Sequence, residues 1–174
     1  MNVIDEVLKA NEDYSRNFTS GNLPMPPGRK LAVVACMDAR LVISRMLGLK
    51  EGDAHVIRNA GGIVDDDALR SLIISHRLLG TQEFMLIHHT DCGMLTFKDD
   101  DLRARLRQET NTVAVSPSRF YSFSDLEADV REQIAKLKSH PWIPKSIAVR
   151  GFIFDVKTGR LKEVLAAKAG EASA

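Results

Sequence analysis

His89 and Cys92 lie three residues apart in Leu86-Ile87-His88-His89-Thr90-Asp91-Cys92-Gly93. That H-x-x-C spacing lets one turn of backbone offer an imidazole nitrogen and a thiolate sulfur to the same ion, a donor pair that zinc accepts readily. Two ligands do not complete a site. The chain has one other cysteine, Cys36, in Val33-Val34-Ala35-Cys36-Met37-Asp38-Ala39-Arg40. Both stretches begin as apolar strands, so the ligands would meet where two parallel strands end. Asp38 lies two residues beyond Cys36, within reach of the metal's remaining position. It could bind the ion and close the site, but a charge-assisted pair with Arg40 would oppose that.

The elements that must position these residues follow from periodicity. Residues 3–18 carry Ile4, Val7, Leu8 and Phe18 on one helical stripe, which packs either on its own core or on a partner subunit. Pro24, Pro26 and Pro27 make the next stretch an extended linker. Lys30 to Ala35 is a continuous apolar run, the mark of a strand buried on both faces. A short helix over Leu41–Leu47 ends before Gly48, and a strand spans Ala54–Ile57. Gly61 and Gly62 then form a loop where backbone turns sharply or approaches a ligand.

Asp65, Asp66 and Asp67 start a helix that runs to Leu79, and Glu83–His89 is the next strand. Leu95 to Glu109 reads as helical in pieces, and Asn111 to Phe123 as irregular. Ser124-Asp125-Leu126-Glu127 fits a capping box for a helix to Lys138. Ile147–Val156 and Leu161–Leu165 form a final hairpin, and the chain frays from Ala166. Strands alternating with helices predict a three-layer α/β fold, a mainly parallel sheet flanked by helices with an antiparallel edge. Ligands in such sheets bind at the carboxyl ends of the strands, where Cys36 and His89 stand.

Composition narrows the function. The chain has 174 residues, 44% hydrophobic and 27% charged, and reads as one domain over residues 1–174. A formal charge of +1 gives no electrostatic reason to expect nucleic acid or an anionic membrane as partner. No apolar run approaches the roughly 20 residues that span a bilayer. The first residues lack a signal-peptide pattern, so a cytoplasmic location is expected, with both cysteines reduced. No G-x-G-x-x-G follows the first strand, which rejects a dinucleotide-binding reading.

Three blocks together, Cys36-Met37-Asp38-Ala39-Arg40, Arg58-Asn59-Ala60-Gly61-Gly62 and His89-Thr90-Asp91-Cys92-Gly93, resemble the β-class carbonic anhydrases. Ala39, where many members have serine, resembles the shorter, archaeal-type branch, which also includes carbonyl sulfide and carbon disulfide hydrolases. The resemblance implies one zinc per subunit on Cys36, His89 and Cys92. It implies an Asp38–Arg40 dyad, and a zinc-bound hydroxide that attacks carbon dioxide to give bicarbonate and a proton. It also implies a homodimer or larger homo-oligomer, with the N-terminal helix embracing the neighbour. Backbone at Ala60, Gly61 and Gly93 would line the substrate pocket; a plain tight turn is the alternative. No pocket aromatics carry over.

Two other functions remain open from sequence: a carbonyl sulfide or carbon disulfide hydrolase on the same centre, and a non-catalytic bicarbonate-binding protein with a closed zinc site. The other candidates have plainer readings. His88 should face away from His89 into the core, and His76 should be a satisfied buried or interface residue. His55 and His140 could relay protons only if they lie near the pocket. Asp99, Asp100 and Asp101 read as a solvated helix start, and Trp142 as a loop anchor held by packing.

Overall fold

The computed structural model describes residues 2–165. Helix α1 (Val3–Arg16) precedes strand β1 (Leu31–Cys36), α2 (Ile43–Leu47) and β2 (Ala54–Asn59). A short 3-10 turn, Ala60–Gly62, leads to α3 (Asp66–Arg77) and β3 (Glu83–His89). A second such turn, Gly93–Leu95, leads to α4 (Asp99–Thr110), α5 (Leu126–Ser139), β4 (Ala148–Phe154) and β5 (Leu161–Val164). The five strands form one sheet in the order β2-β1-β3-β4-β5. β5 alone runs antiparallel, as the hairpin pattern requires.

Buried apolar residues lie on both faces of the sheet because successive side chains of a strand point opposite ways. On β1, Ala32 and Val34 join one core with Leu72, Leu86 and Ile134, under α3 and α5. Val33 and Ala35 join the other with Leu41, Ile43 and Ile87, under α2. Strand β1 is fully buried from Ala32 to Cys36, the outcome its unbroken apolar run predicted. Because β1 lies between β2 and β3, the crossover from β1 to β2 and the one from β2 to β3 run in opposite directions across the sheet. The gap between the ends of β1 and β3 is therefore a topological switch point, with Cys36 on one side and His89 on the other.

Several local expectations shift. Helix α3 takes its cap from Asp65, which accepts from Ala68 N at 2.8 Å. Helix α5 is capped by Asp125 rather than Ser124, through a bond from Ala128 N at 2.9 Å. Both residue types cap well, and the backbone turns helical one residue later than the box predicted. Leu95 to Glu109 is helical in pieces as expected: the 3-10 turn ends at Leu95 and helix α4 begins at Asp99. Its first residue is not simply solvated: the Asp99 carboxylate accepts from Phe120, Tyr121 and Ser122 N at 2.7–3.1 Å and folds that irregular stretch against the helix.

Trp142 is 63% exposed, so packing does not hold its loop; Arg77 holds the Trp142 carbonyl instead. Helix α1 buries none of its residues within the chain, and Val3, Ile4, Val7 and Leu8 are exposed. No helix among the described residues is long and apolar enough to cross a membrane. The tail expected to fray from Ala166 lies outside the described residues.

Candidate metal centre

Strand β1 delivers Cys36 and strand β3 delivers His89, and the turn after β3 returns Cys92 to them. Their ligand atoms lie within 4.8 Å of one another, and all three residues are buried. Both cysteines are free thiols. His89 Nδ1 meets the Thr90 carbonyl at 2.9 Å, and a carbonyl only accepts, so Nδ1 carries the proton. Nε2 is then a bare lone pair, buried and without a hydrogen-bond partner. An orphaned imidazole nitrogen between two thiols fits zinc: Nδ1 is held by its neighbour while Nε2 is left free.

The electrostatics favour losing a thiol proton. A hydrogen bond from Cys92 lowers Cys36 and favours its thiolate, against the opposing effect of burial. The same contact with Cys36 pushes the Cys92 thiol up, because two thiolates side by side repel. A divalent cation would remove that repulsion and release the second proton. Two thiolates would balance its charge, leaving the imidazole neutral.

Asp38 stands beside this triad, with Oδ2 3.8 Å from His89 Nε2. Arg40 grips its carboxylate at two points: Nε donates to Oδ1 at 2.9 Å and Nη2 to Oδ2 at 2.8 Å. Those bonds hold the Asp38 carboxyl well below the usual carboxylate range. Arg40 also donates Nη1 to Asp91 Oδ2 at 2.7 Å and Nη2 to the Asp91 carbonyl at 3.0 Å. Ala60, Gly61 and Gly93 line the same open cavity as the triad and Asp38, a space of about 520 Å³ walled by Met94, Phe97 and Leu102.

Further residues shape this centre without having been singled out for it. Arg58 donates to the Cys36 carbonyl at 3.0 and 2.8 Å and to the Asp38 carbonyl at 2.7 Å, clamping the backbone between Cys36 and Asp38. Asn59 closes the turn after β2 through paired bonds with Ile63. Phe97 lines the pocket, so an aromatic does belong to its wall although none carried over, and Phe123 packs against Gly61 and Met94. Arg58 and Asn59 were visible as neighbours of the paired glycines; Phe123 carried no local signal.

The remaining histidines keep away from the cavity. His88 faces the opposite side of the sheet from His89 and meets Asp129 of α5 at 2.6 Å. His76 is satisfied by the Thr81 carbonyl. His55 bonds Ser75, His140 bonds the Trp142 amide, and neither lines the pocket.

Comparison with known proteins places the chain in a family. Residues 31–161 match the carbonic anhydrase family model. A β-carbonic anhydrase of Mycobacterium tuberculosis is 53% identical over 165 residues, 94% of this chain and 99% of that protein. A carbon disulfide hydrolase of Saccharolobus solfataricus is 35% identical over 182 residues, covering 92% and 88%. The crystal structure of a carbonic anhydrase from Streptococcus mutans superposes with a TM-score of 0.89 at 45% identity, covering 95% of this chain and 99% of that one. Similar in sequence and fold to such enzymes over nearly its whole length, this chain belongs to the β-carbonic anhydrase family.

Proposed function

We propose that this protein interconverts carbon dioxide and water with bicarbonate and a proton, using one zinc held by Cys36, His89 and Cys92. The observation that carries this reading is the buried, unpartnered His89 Nε2 between two free thiols, with Asp38 beside them but engaged by Arg40. Zinc bound there would supply the Lewis acidity that makes a hydroxide nucleophile available, at a higher pH than in a three-histidine site because two thiolates donate more charge to the ion. Asp38 would accept a hydrogen bond from that nucleophile and so aim its lone pair at substrate. Arg40 keeps Asp38 ionised and turned to that task. The small residues Ala60, Gly61 and Gly93 leave room for a linear triatomic molecule. Met94, Phe97 and Leu102 present an apolar wall to an uncharged substrate.

Stopped-flow hydration of carbon dioxide by zinc-loaded protein tests the reading. Turnover should be fast and zinc-dependent, vanish in Cys92→Ser, and fall roughly 10- to 100-fold in Asp38→Asn. A zinc-loaded protein without turnover would overturn it. The 35% identity to a carbon disulfide hydrolase supports a second reading on the same centre. Hydrogen sulfide release from carbon disulfide, far faster than carbon dioxide hydration, would favour it. A non-catalytic bicarbonate binder would need Asp38 on the metal, and the two hydrogen bonds its carboxylate accepts from Arg40 weigh against that.

The uncovered apolar stripe of α1 supports a homo-oligomer in which this helix packs on a neighbour, measurable by light scattering. One sheet joins residues 31–164, which supports a single domain with residues 1–29 as its helical arm and linker. Two close thiols that must stay reduced suit the cytoplasm.

A further inference from the structure

Asp91 lies between His89 and Cys92, with its backbone in the left-handed region at φ +56°. Glycine, asparagine and aspartate tolerate that conformation, whereas most other residues are strained in it. Backbone alone does not choose among those three; what aspartate adds is a carboxylate. That carboxylate meets Arg40 Nη1 at 2.7 Å, and the Asp91 carbonyl meets Nη2 at 3.0 Å. The same guanidinium gives Nε and Nη2 to Asp38. One planar cation therefore joins the loop after β1 to the turn after β3.

We propose that Asp91 is a positioning residue. It fastens Arg40 to the metal-binding turn, so that Arg40 holds Asp38 beside the metal rather than letting it become a ligand. The proposal rests on the zinc reading above and deepens it.

Two effects of Asp91 oppose each other. Its charge shares Arg40 between two carboxylates, which weakens the pair with Asp38. Its contacts also order a long side chain whose rotamer freedom works against pairing. The Asp91 side chain is 74% exposed and that of Asp38 is 20% exposed. Water screens the charge of the exposed partner strongly but leaves its hydrogen-bond geometry intact. Ordering therefore wins. Without the Asp91 carboxylate, Arg40 would keep only Asp38 and the residue-91 carbonyl, while a cation bound at His89 Nε2, which lies 3.8 Å from Asp38 Oδ2, would draw Asp38 off.

Two variants isolate the effect. Asp91→Gly keeps the left-handed backbone and removes the side chain; Asp91→Asn keeps the shape and removes the charge. In zinc-loaded protein, hydrogen exchange at Arg40 Nε–H, followed by NMR, should quicken roughly three- to tenfold in Asp91→Gly and less in Asp91→Asn. In cobalt-substituted protein, the visible spectrum should respond to added azide in the wild type and respond less in Asp91→Gly, because Asp38 then occupies the fourth position. Either readout unchanged in Asp91→Gly overturns the proposal. So does a uniform rise in exchange across the backbone amides, which marks general loosening. Neither readout needs turnover, so absent carbon dioxide hydration in the wild type would defeat the functional reading separately.

Discussion

Replacing Gly62 with alanine should damage the fold and the metal centre together, whereas the same change at Gly80 should cost only its backbone strain. Both glycines are left-handed, at φ +73° and +74°. A Cβ at Gly80 meets nothing within 4 Å. A Cβ at Gly62 would stand 2.8 Å from Cys36 N, 3.0 Å from Ala35 C and 3.0 Å from the Ile87 carbonyl oxygen. These are backbone atoms of β1 and β3, the two strands that carry the ligands, and they cannot turn aside as a side-chain end can. Left-handed strain accounts for roughly 1–2 kcal/mol at either position. Overpacking adds roughly 1–3 kcal/mol at Gly62 alone. Gly80→Ala should therefore lose about 1–2 kcal/mol and Gly62→Ala about 2–5 kcal/mol.

Urea unfolding of the two variants measures the difference. Protein and free zinc concentrations must be fixed, since a bound cation or partner adds its own stabilisation. Zinc affinity, by competition with a chelator, should fall in Gly62→Ala and stay level in Gly80→Ala, because only the former shifts Cys36. Equal destabilisation within about 0.5 kcal/mol would refute the close-approach argument.

Gly151 on β4 faces α5, where a Cβ would lie 2.4 Å from Val130 Cγ1 and 2.8 Å from Ile134 Cδ1, both buried. Gly151→Ala should cost roughly 1–3 kcal/mol in thermal or urea unfolding while leaving zinc affinity unchanged. Asp99 supplies a pH dependence. Burial pushes its carboxyl up, but the Ser122, Phe120 and Tyr121 amides and the Ser122 hydroxyl outweigh burial and hold it at about 2. A lowered pKa stabilises above the unfolded value, roughly 4, and that contribution is lost as pH falls towards 2. Protection of the amides of residues 120–122, relative to their intrinsic exchange rate at each pH, should fall across that window, and Asp99→Asn should lower it at neutral pH.

The chemistry of this protein was more legible in its sequence than the means of holding it. Cys36, His89 and Cys92 announce themselves by residue type and spacing, and apolar runs located the strands that bring them together. Asp38 and Arg40 are close in sequence, so their pairing is a local matter. Asp91 reaches Arg40, Asp99 reaches the amides of residues 120–122, and Arg58 reaches the Cys36 carbonyl only after distant segments meet in space. Such contacts leave no periodicity and no motif. The start of α5 failed for a different reason: Ser124 and Asp125 are both competent caps, and packing decides which of them turns first.

The candidate ligands come from opposite sides of the strand-order switch, and this bears on the order in which the proposed metal centre can assemble. His89 and Cys92 are near neighbours in the chain, but Cys36 meets them only when β1 lies against β3. In an unfolded chain only two of these three donors lie close together, and closing the long intervening loop for Cys36 would oppose capture. The core under α3 and α5 contains no ligand, so it gives the sheet a reason to form before metal arrives. Zinc should enter a scaffold already built, and its removal should leave folded, reloadable protein, unlike small domains that exist only around their ion.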